Sequence, residues 1–273
     1  NITFSLLRRD MPIPPLPTHW GMETSAPEIS ELVKVAASLD NSYLAIQGPP
    51  GSGKTWTGAR IIHHLVTVEK KKVGITAQAK AAIDNLLEET VVYTKEKMEQ
   101  DPGVLNARRR FESETPLDGV ALDEKSKPSD LANEEALLFA STTWFWAHPE
   151  FDAEENKFDY LVIDEAGQLS LADALAASKG TKNVILLGDP QQLSQVAQAS
   201  HPAGGGVDSG ASILGHLLEG NATISSDRGV FLDKTWRLDP AICTFISEEF
   251  YENRLKPVES INRRIEGREN GLF

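Results

Sequence analysis

The stretch YLAIQGPPGSGKT, residues 43–55, decides the fold. YLAIQ (43–47) reads as a short strand. Gly48-Pro49-Pro50-Gly51-Ser52-Gly53-Lys54-Thr55 then satisfies the phosphate-loop pattern G-x-x-x-x-G-K-[ST], and residues 55–68 read as an amphipathic helix. Strand, Gly-rich loop and helix in that order are the context the pattern requires. Glycines let backbone N–H groups close around phosphate oxygens, and the helix N-terminus adds partial positive charge. Lys54 is expected to reach the β- and γ-phosphates of a nucleotide, and the Thr55 hydroxyl to ligate Mg²⁺.

Working outward, VGITA (73–77) is the next strand, and Ile83, Leu86 and Leu87 mark the next helix. LLFAST (137–142), YLVID (160–164) and NVILLG (183–188) read as further strands. The last two are continuous apolar runs, the mark of strands buried on both faces. Strands alternating with helices imply an α/β fold with a parallel sheet and right-handed crossovers. Upstream of the loop, Ser25 and Glu28 form a plausible capping box. It opens a helix with Ile29, Leu32, Val33, Ala36 and Leu39 on one face. Residues 1–24, with MPIPPLP at 11–17, read as an extended arm. Residues 93–136 lose clear periodicity and read as an inserted subdomain. AGGGVDSGAS (203–212) reads as a flexible loop, and Pro240 starts a helix carrying Ile242, Phe245, Ile246 and Phe250.

Two acids, Asp164 and Glu165, end the YLVID run. One buried carboxylate is already costly to desolvate, so two at a strand tip ask for a metal, a proton acceptor, or both. In a parallel sheet the strand C-termini face the nucleotide. The strand ending in Asp164 is expected beside the one ending at Ile46 or Gln47, with Asp164 holding Mg²⁺ and Glu165 accepting a proton from the attacking water. The bland alternative is a helix N-cap followed by a first-turn acid. ILLGDPQQLSQV (185–196) ends another strand in polar groups, and Gln192 suits sensing a γ-phosphate or orienting water. Trp236 and Arg237 suit stacking on a base while clamping phosphate; the alternative is a core Trp and a surface salt bridge. Asn156-Lys157-Phe158-Asp159 matches a guanine-reading pattern, but it precedes its strand instead of ending one and reads as chance.

Composition narrows the classes. The chain has 273 residues, one cysteine (Cys243) and a net charge of −13. A full core needs no staples at this length. An internal disulfide is impossible, which fits a reducing, cytoplasmic setting. No apolar run reaches the ~20 residues of a bilayer span. The acidic balance argues mildly against phosphate polymers, although EKKK (69–72), ARRR (107–110) and INRRIEGR (261–268) are local basic clusters, each read as a solvated face.

Taken together, IQGPPGSGKT, ITAQAKAAIDNLLEE, FASTTWFWA, VIDEAGQ, LLGDPQQL and TWRLDPAICTFISEEFYENRL resemble, in order, the motifs of superfamily 1 helicases. The branch resembled includes the nonsense-mediated-decay RNA helicase and related DNA helicases. The likeness covers roughly residues 25–255. AIQGPPGSGKTWTGARII, ASTTWFWA and LSLADALAASKG further resemble bacterial helicases fused behind a RecB-like nuclease domain. The resemblance implies a RecA-like P-loop NTPase fold, a parallel sheet with helices on both faces, and ATP with Mg²⁺ as ligands. It implies ATP-site roles for Lys54, Thr55, Asp164, Glu165, Gln192 and Arg237, and places Trp236 where relatives stack a tyrosine on adenine. Glu28, Ile29 and Ser30 stand where relatives carry an adenine-reading Gln. Thr142, Thr143 and Trp144 become candidates for contact with single-stranded DNA or RNA. Residues 256–273 are expected to lead into a second RecA-like domain, which relatives need for a complete motor. A P-loop enzyme acting on a small molecule and a nucleotide-gated interaction module remain as alternatives.

Overall fold

A computed structural model describes residues 1–21, 25–98, 105–111, 116–117, 119–123, 137–151, 158–192 and 211–258. Eight strands run parallel in one sheet: β1 (Tyr43–Gln47), β2 (Val73–Ala77), β3 (Ala107–Arg109), β4 (Val120–Leu122), β5 (Leu138–Ala140), β6 (Phe158–Asp164), β7 (Thr181–Gly188) and β8 (Gly229–Phe231). Their order is β4-β3-β5-β2-β6-β7-β1-β8. Because all eight point the same way, every C-terminal end lies on one edge, and that edge carries the phosphate loop.

The central strands are apolar throughout because both faces are covered. Leu44, Ile46, Val162, Ile185 and Leu187 join one core, while Tyr43, Ala45, Leu161, Ile163, Val184 and Leu186 join the other. On the first face pack helices α2 (Ile29–Ser38), α3 (Lys54–Thr67) and α4 (Lys80–Met98). On the second lie α1 (Ile2–Arg8), α5 (Thr143–Trp146), α6 (Leu171–Ala177) and α7 (Ile213–Leu218). A small second sheet pairs β9 (Lys234–Thr235) with β10 (Lys256–Pro257), flanking α8 (Pro240–Phe250). This is the α/β parallel-sheet architecture that the residues imply, with helices on both faces, in keeping with the RecA-like P-loop fold that the resemblance implies.

Four expectations change. The expected extended arm begins as helix α1: the Asn1 side chain accepts from the Thr3 N–H, and Ile2 and Leu6, one turn apart, are buried in the second core. The Pro-rich segment is non-helical but tied down, with Ile13 N–H donating to Ser42 Oγ at 2.6 Å and Leu16 buried. The capping box at Ser25 does not form. Helix α2 starts at Ile29 with no side-chain cap, and the Ala26 N–H is taken instead by Asp233 Oδ1 at 3.0 Å. The stretch read as an inserted subdomain is partly main sheet: α4 runs on to Met98, and β3 and β4 extend the sheet beyond β5. Lastly, β6 does not lie beside β1, because β7 runs between them.

The basic clusters also separate. Residues 69–72 precede β2, at the edge away from the phosphate loop. Arg109 in β3 is buried and bonded to Asp84 at 3.0 Å, not solvated. The cluster at 261–268, most of the Gly-rich loop 203–212, and Asn156 and Lys157 lie outside the described residues. Asp159, the second residue of β6, lies at the far edge, where it accepts from the Lys72 N–H at 3.0 Å, away from the phosphate loop.

Candidate nucleotide site

The loop between β1 and α3 depends on two left-handed glycines, Gly51 (φ 75°) and Gly53 (φ 87°), a conformation L side chains rarely adopt. Gly51 also has no room for a side chain, since a Cβ would strike Arg237 Cβ. That closeness is built by hydrogen bonds. The Trp236 N–H donates to Gly51 O at 2.9 Å, and Thr235 Oγ1 donates to Pro50 O at 2.9 Å. The segment carrying Trp236 and Arg237 is thus fastened to the phosphate loop.

At the loop's end, Lys54 Nζ donates to Gly48 O at 2.6 Å. Burial pulls the Lys54 ammonium below its ordinary value, and the carboxylates of Glu165, Asp189 and Asp164 oppose that pull. Among the described residues, Ser52 Oγ is buried with no hydrogen-bond partner, a polar atom waiting inside the cradle.

One strand beyond β7, Asp164 ends β6 and is 4% exposed. Burial pushes its carboxyl up to about 6, and the Glu165 N–H, 2.8 Å from Oδ1, pulls the other way. Glu165 sits at φ 52°, uncommon for a residue with a side chain and a mark of strain held by its surroundings. Those surroundings are the turn bonds Ala166 N–H to Leu187 O and Gln168 N–H to Glu165 O, each 2.8 Å. The helix-cap alternative for the two acids does not hold. The next helix, α6, begins at Leu171, and its cap is Ser170, whose Oγ accepts from the Asp173 N–H.

These parts converge on one open cleft of about 970 Å³. Its walls include Lys54, Thr55, Glu165, Gln192, Trp236 and Arg237. Pro50, Gly51, Ser52 and Gly53 line it as well. The buried Asp164 lies behind Glu165. Trp236 is 54% exposed, so it is no core residue. Glu28 and Ile29 also line the cleft.

Two residues at the site, one lining the cleft and one behind it, escaped sequence reasoning. Trp56 follows Thr55, is half-exposed, and lines the cleft with Arg60 stacked 4.0 Å over its ring. An exposed aromatic one residue past the phosphate loop was its only signal. Asp189 lies behind Gln192 at the end of β7 and is 1% exposed. It accepts from Tyr251 Oη (2.6 Å), Gln192 Nε2 (3.2 Å), the Gln191 N–H (3.2 Å) and Gln47 Nε2 (3.5 Å). With its oxygens so occupied it organises the protein. Its signal was an acid ending an apolar strand, as at Asp164.

On the same sheet edge, Thr142 and Thr143 start α5 after β5, and Trp144 stands 89% exposed. Trp146 is core instead, its indole N–H donating to Ser141 O and Ile75 O. Arg110, following β3, lies 4.2 Å over the Phe145 ring.

A family model described as an AAA domain matches residues 26–204. The ATP-dependent helicase NAM7 of Saccharomyces cerevisiae is 28% identical over 297 aligned positions, covering 93% of this chain and 28% of that protein. The Regulator of nonsense transcripts 1 homolog of Neurospora crassa is 26% identical, covering 83% of this chain and 23% of that protein. The DNA replication ATP-dependent helicase/nuclease dna2 of Schizosaccharomyces pombe is 27% identical, covering 66% and 12%. This chain therefore spans less than a third of the length of each. Among solved structures, an Arterivirus nonstructural protein 10 (helicase) in complex with DNA aligns with a TM-score of 0.47 and 19% identity, covering 84% of this chain and 44% of that one.

Proposed function

The chain belongs to the AAA-domain family, and from that premise we propose that it is the ATP-binding motor domain of a nucleic-acid-dependent ATPase of the superfamily 1 helicase kind. The observation that carries this reading is the single cleft on which the phosphate loop, Glu165, Gln192, Trp236 and Arg237 converge.

In this proposal the loop N–H groups and the N-terminus of α3 hold the phosphates, and Lys54 exchanges its bond to Gly48 O for the β- and γ-phosphates. Trp236 stacks on the base and Arg237 meets the phosphates. Mg²⁺ fits the donors present. Thr55 and Asp164 offer hard oxygens, and a buried carboxyl whose charge is penalised gains from a cation. The ion of this proposal takes one or two protein ligands beside phosphates and water. When bound, the ion supplies charge neutralisation on the phosphate oxygens. Glu165 accepts the proton of the attacking water, and Gln192 senses the terminal phosphate or orients that water.

Hydroxyls suit phosphates and aromatics stack bases, so Thr142, Thr143 and Trp144 form the proposed contact with single-stranded DNA or RNA. Residues 25–255 make up the proposed motor domain, with a second RecA-like domain in cis supplying a further arginine. A RecB-like nuclease segment in cis is part of the proposal too, supported by the likeness of ASTTWFWA and LSLADALAASKG to such fusions. No helix among the described residues is long and apolar enough to cross a membrane, and a cytoplasmic setting is proposed from the lone cysteine. The test is steady-state phosphate release with and without poly(dT) and poly(U). This chain alone should turn ATP over slowly, since lack of an arginine finger costs ~10³–10⁵ in rate, and the polymers should not raise that rate. Protein including the second domain should be stimulated. Polymer-independent turnover there would overturn the motor reading in favour of a small-molecule enzyme.

A further inference from the structure

Asp189 accepts two hydrogen bonds on one oxygen. Gln192 Nε2 reaches Oδ2 at 3.2 Å and the Tyr251 hydroxyl reaches it at 2.6 Å. The two donors come from distant parts of the chain. Gln192 follows β7, whereas Tyr251 is the C-cap of α8, the helix that begins just after Trp236 and Arg237. A carboxylate that is 1% exposed is tolerable only when its oxygens are saturated by donors. The Tyr251 hydroxyl is the shortest of these donors. It remains a donor, because burial and the bond to Asp189 both hold its proton more firmly than usual. The carboxylate in turn fixes which way the Gln192 amide faces: the NH₂ end must point at Asp189. That leaves the carbonyl oxygen and the second N–H for the cleft Gln192 lines.

We infer that Tyr251 is a positioning residue for nucleotide discrimination, acting through Asp189 to set the Gln192 amide that reads the terminal phosphate. Without the hydroxyl, the buried carboxylate loses its closest donor and must take compensation from the donors that remain. Gln192 is the one among these that borders the cleft, so its amide is displaced. The inference rests on the proposed ATP site, and its test separates the two.

Affinities of this chain for Mg·AMPPNP and Mg·ADP are measured by calorimetry in wild type, Tyr251→Phe, Gln192→Ala and the double variant. The Phe ring keeps its packing on Phe231, whose centroid lies 5.8 Å away. Wild type should prefer the triphosphate analogue. Gln192→Ala should lower that preference by roughly 10- to 150-fold, the worth of one hydrogen bond to a charged phosphate. Tyr251→Phe should lower it similarly with ADP affinity unchanged, and adding it to Gln192→Ala should bring no further loss. Should Tyr251→Phe fold poorly, Asp189→Asn must show the same selective loss. A wild-type preference in Tyr251→Phe would overturn the inference. So would equal weakening of both nucleotides, or a further loss in the double variant. A wild type that binds neither nucleotide would overturn the ATP-site reading itself, and this inference with it.

Discussion

Lys54→Ala removes a cation that stands, before any nucleotide arrives, 2.6 Å from Gly48 O and among the charges of Glu165, Asp189 and Asp164. Two effects must be kept apart. In the empty chain, the lost ammonium takes one nearby countercharge from those carboxylates, while the burial penalty on the ammonium disappears as well. The effects oppose each other, so the melting temperature without ligand should move little. With nucleotide present they no longer cancel, because the phosphates lose a charge-assisted donor worth ~1.5–3 kcal/mol, roughly 10- to 150-fold in affinity. At a ligand concentration 100 times the wild-type dissociation constant, linkage stabilises wild type by ~2.7 kcal/mol. For a domain of this size that is a melting shift on the order of 5–10 °C. At the same concentration the variant sits at about 10 to 0.7 times its own dissociation constant and gains only ~1.4 to 0.3 kcal/mol. Its shift should therefore fall to roughly half or less. The assay is thermal unfolding of both proteins with Mg·ATP at matched concentrations. Equal shifts would show that Lys54 does not touch the triphosphate, and the phosphate-loop assignment would fail.

Glu165→Gln should keep nucleotide binding and lose hydrolysis in protein with both motor domains, since an amide cannot take the proton of water; wild-type phosphate release would remove Glu165 as the base. Trp236→Ala should weaken ATP more than inorganic triphosphate, because only ATP has a base to stack, and calorimetry with both ligands checks this; an equal loss would make the residue's role structural. With its carboxyl at about 6 in the empty chain, Asp164 must shed a proton to meet a cation, so Mg²⁺-dependent nucleotide affinity should fall as pH drops from 7.5 to 5. The sign for stability is opposite. A raised carboxyl favours the folded empty chain at low pH, and that contribution fades as pH rises through about 6. Asp164→Asn should flatten both dependences, in titrations of binding and of melting, and unchanged pH profiles in that variant would clear Asp164 of the role.

The central strands were legible because burial on both faces forces unbroken apolar runs: β1 and β2 have the bounds read from the residues, and β6 and β7 differ only by two residues at their starts. The phosphate loop was legible because its glycines answer a backbone demand that few other sequences meet. What failed was what long-range pairing decides. Strands β3 and β4 have three residues each, too short for any period to show, and they exist because β5 offers an edge to extend. Helix α1 hid behind the prolines that follow it, although Asn1 as cap and the one-turn spacing of Ile2 and Leu6 were there to be read. The place of β7 between β1 and β6 leaves no mark in local sequence. Asp189 was passed over for the same reason, since a Gly-Asp-Pro turn looks alike whether the acid faces solvent or four internal donors. Of the apolar residues that α8 carries, Ile242, Phe245 and Phe250 are exposed and Ile246 packs against the second core, while Cys243 and Ser247 are buried.

The interposed strand also accounts for how the site holds together. With β7 between them, the phosphate loop and the acids of β6 cannot be neighbours by strand pairing, so contact must come from the turns beyond the strands. Glycines supply it. A Cβ on Gly167 would collide with the backbone of Asp189, and one on Gly188 would meet the Gly167 N at 2.5 Å, which brings the Glu165 turn down onto the end of β7. Gly51 meets Arg237 in the same manner on the other side. Two of these approaches join the Glu165 turn to the end of β7, the third joins the phosphate loop to the Arg237 segment, and the Gly48 N–H donating to Gly188 O at 2.9 Å ties the two pairs together. The strained Glu165 is the consequence: its backbone at φ 52° is where the chain turns sharply enough to seat Gly167 against Asp189. A straighter exit from β6 would relieve that residue, but it would lift the carboxylate away from the cleft and separate it from Gln192. The strain at Glu165 and the glycines at 51, 167 and 188 thus answer the same geometric demand, that groups from non-adjacent strands meet at one cleft.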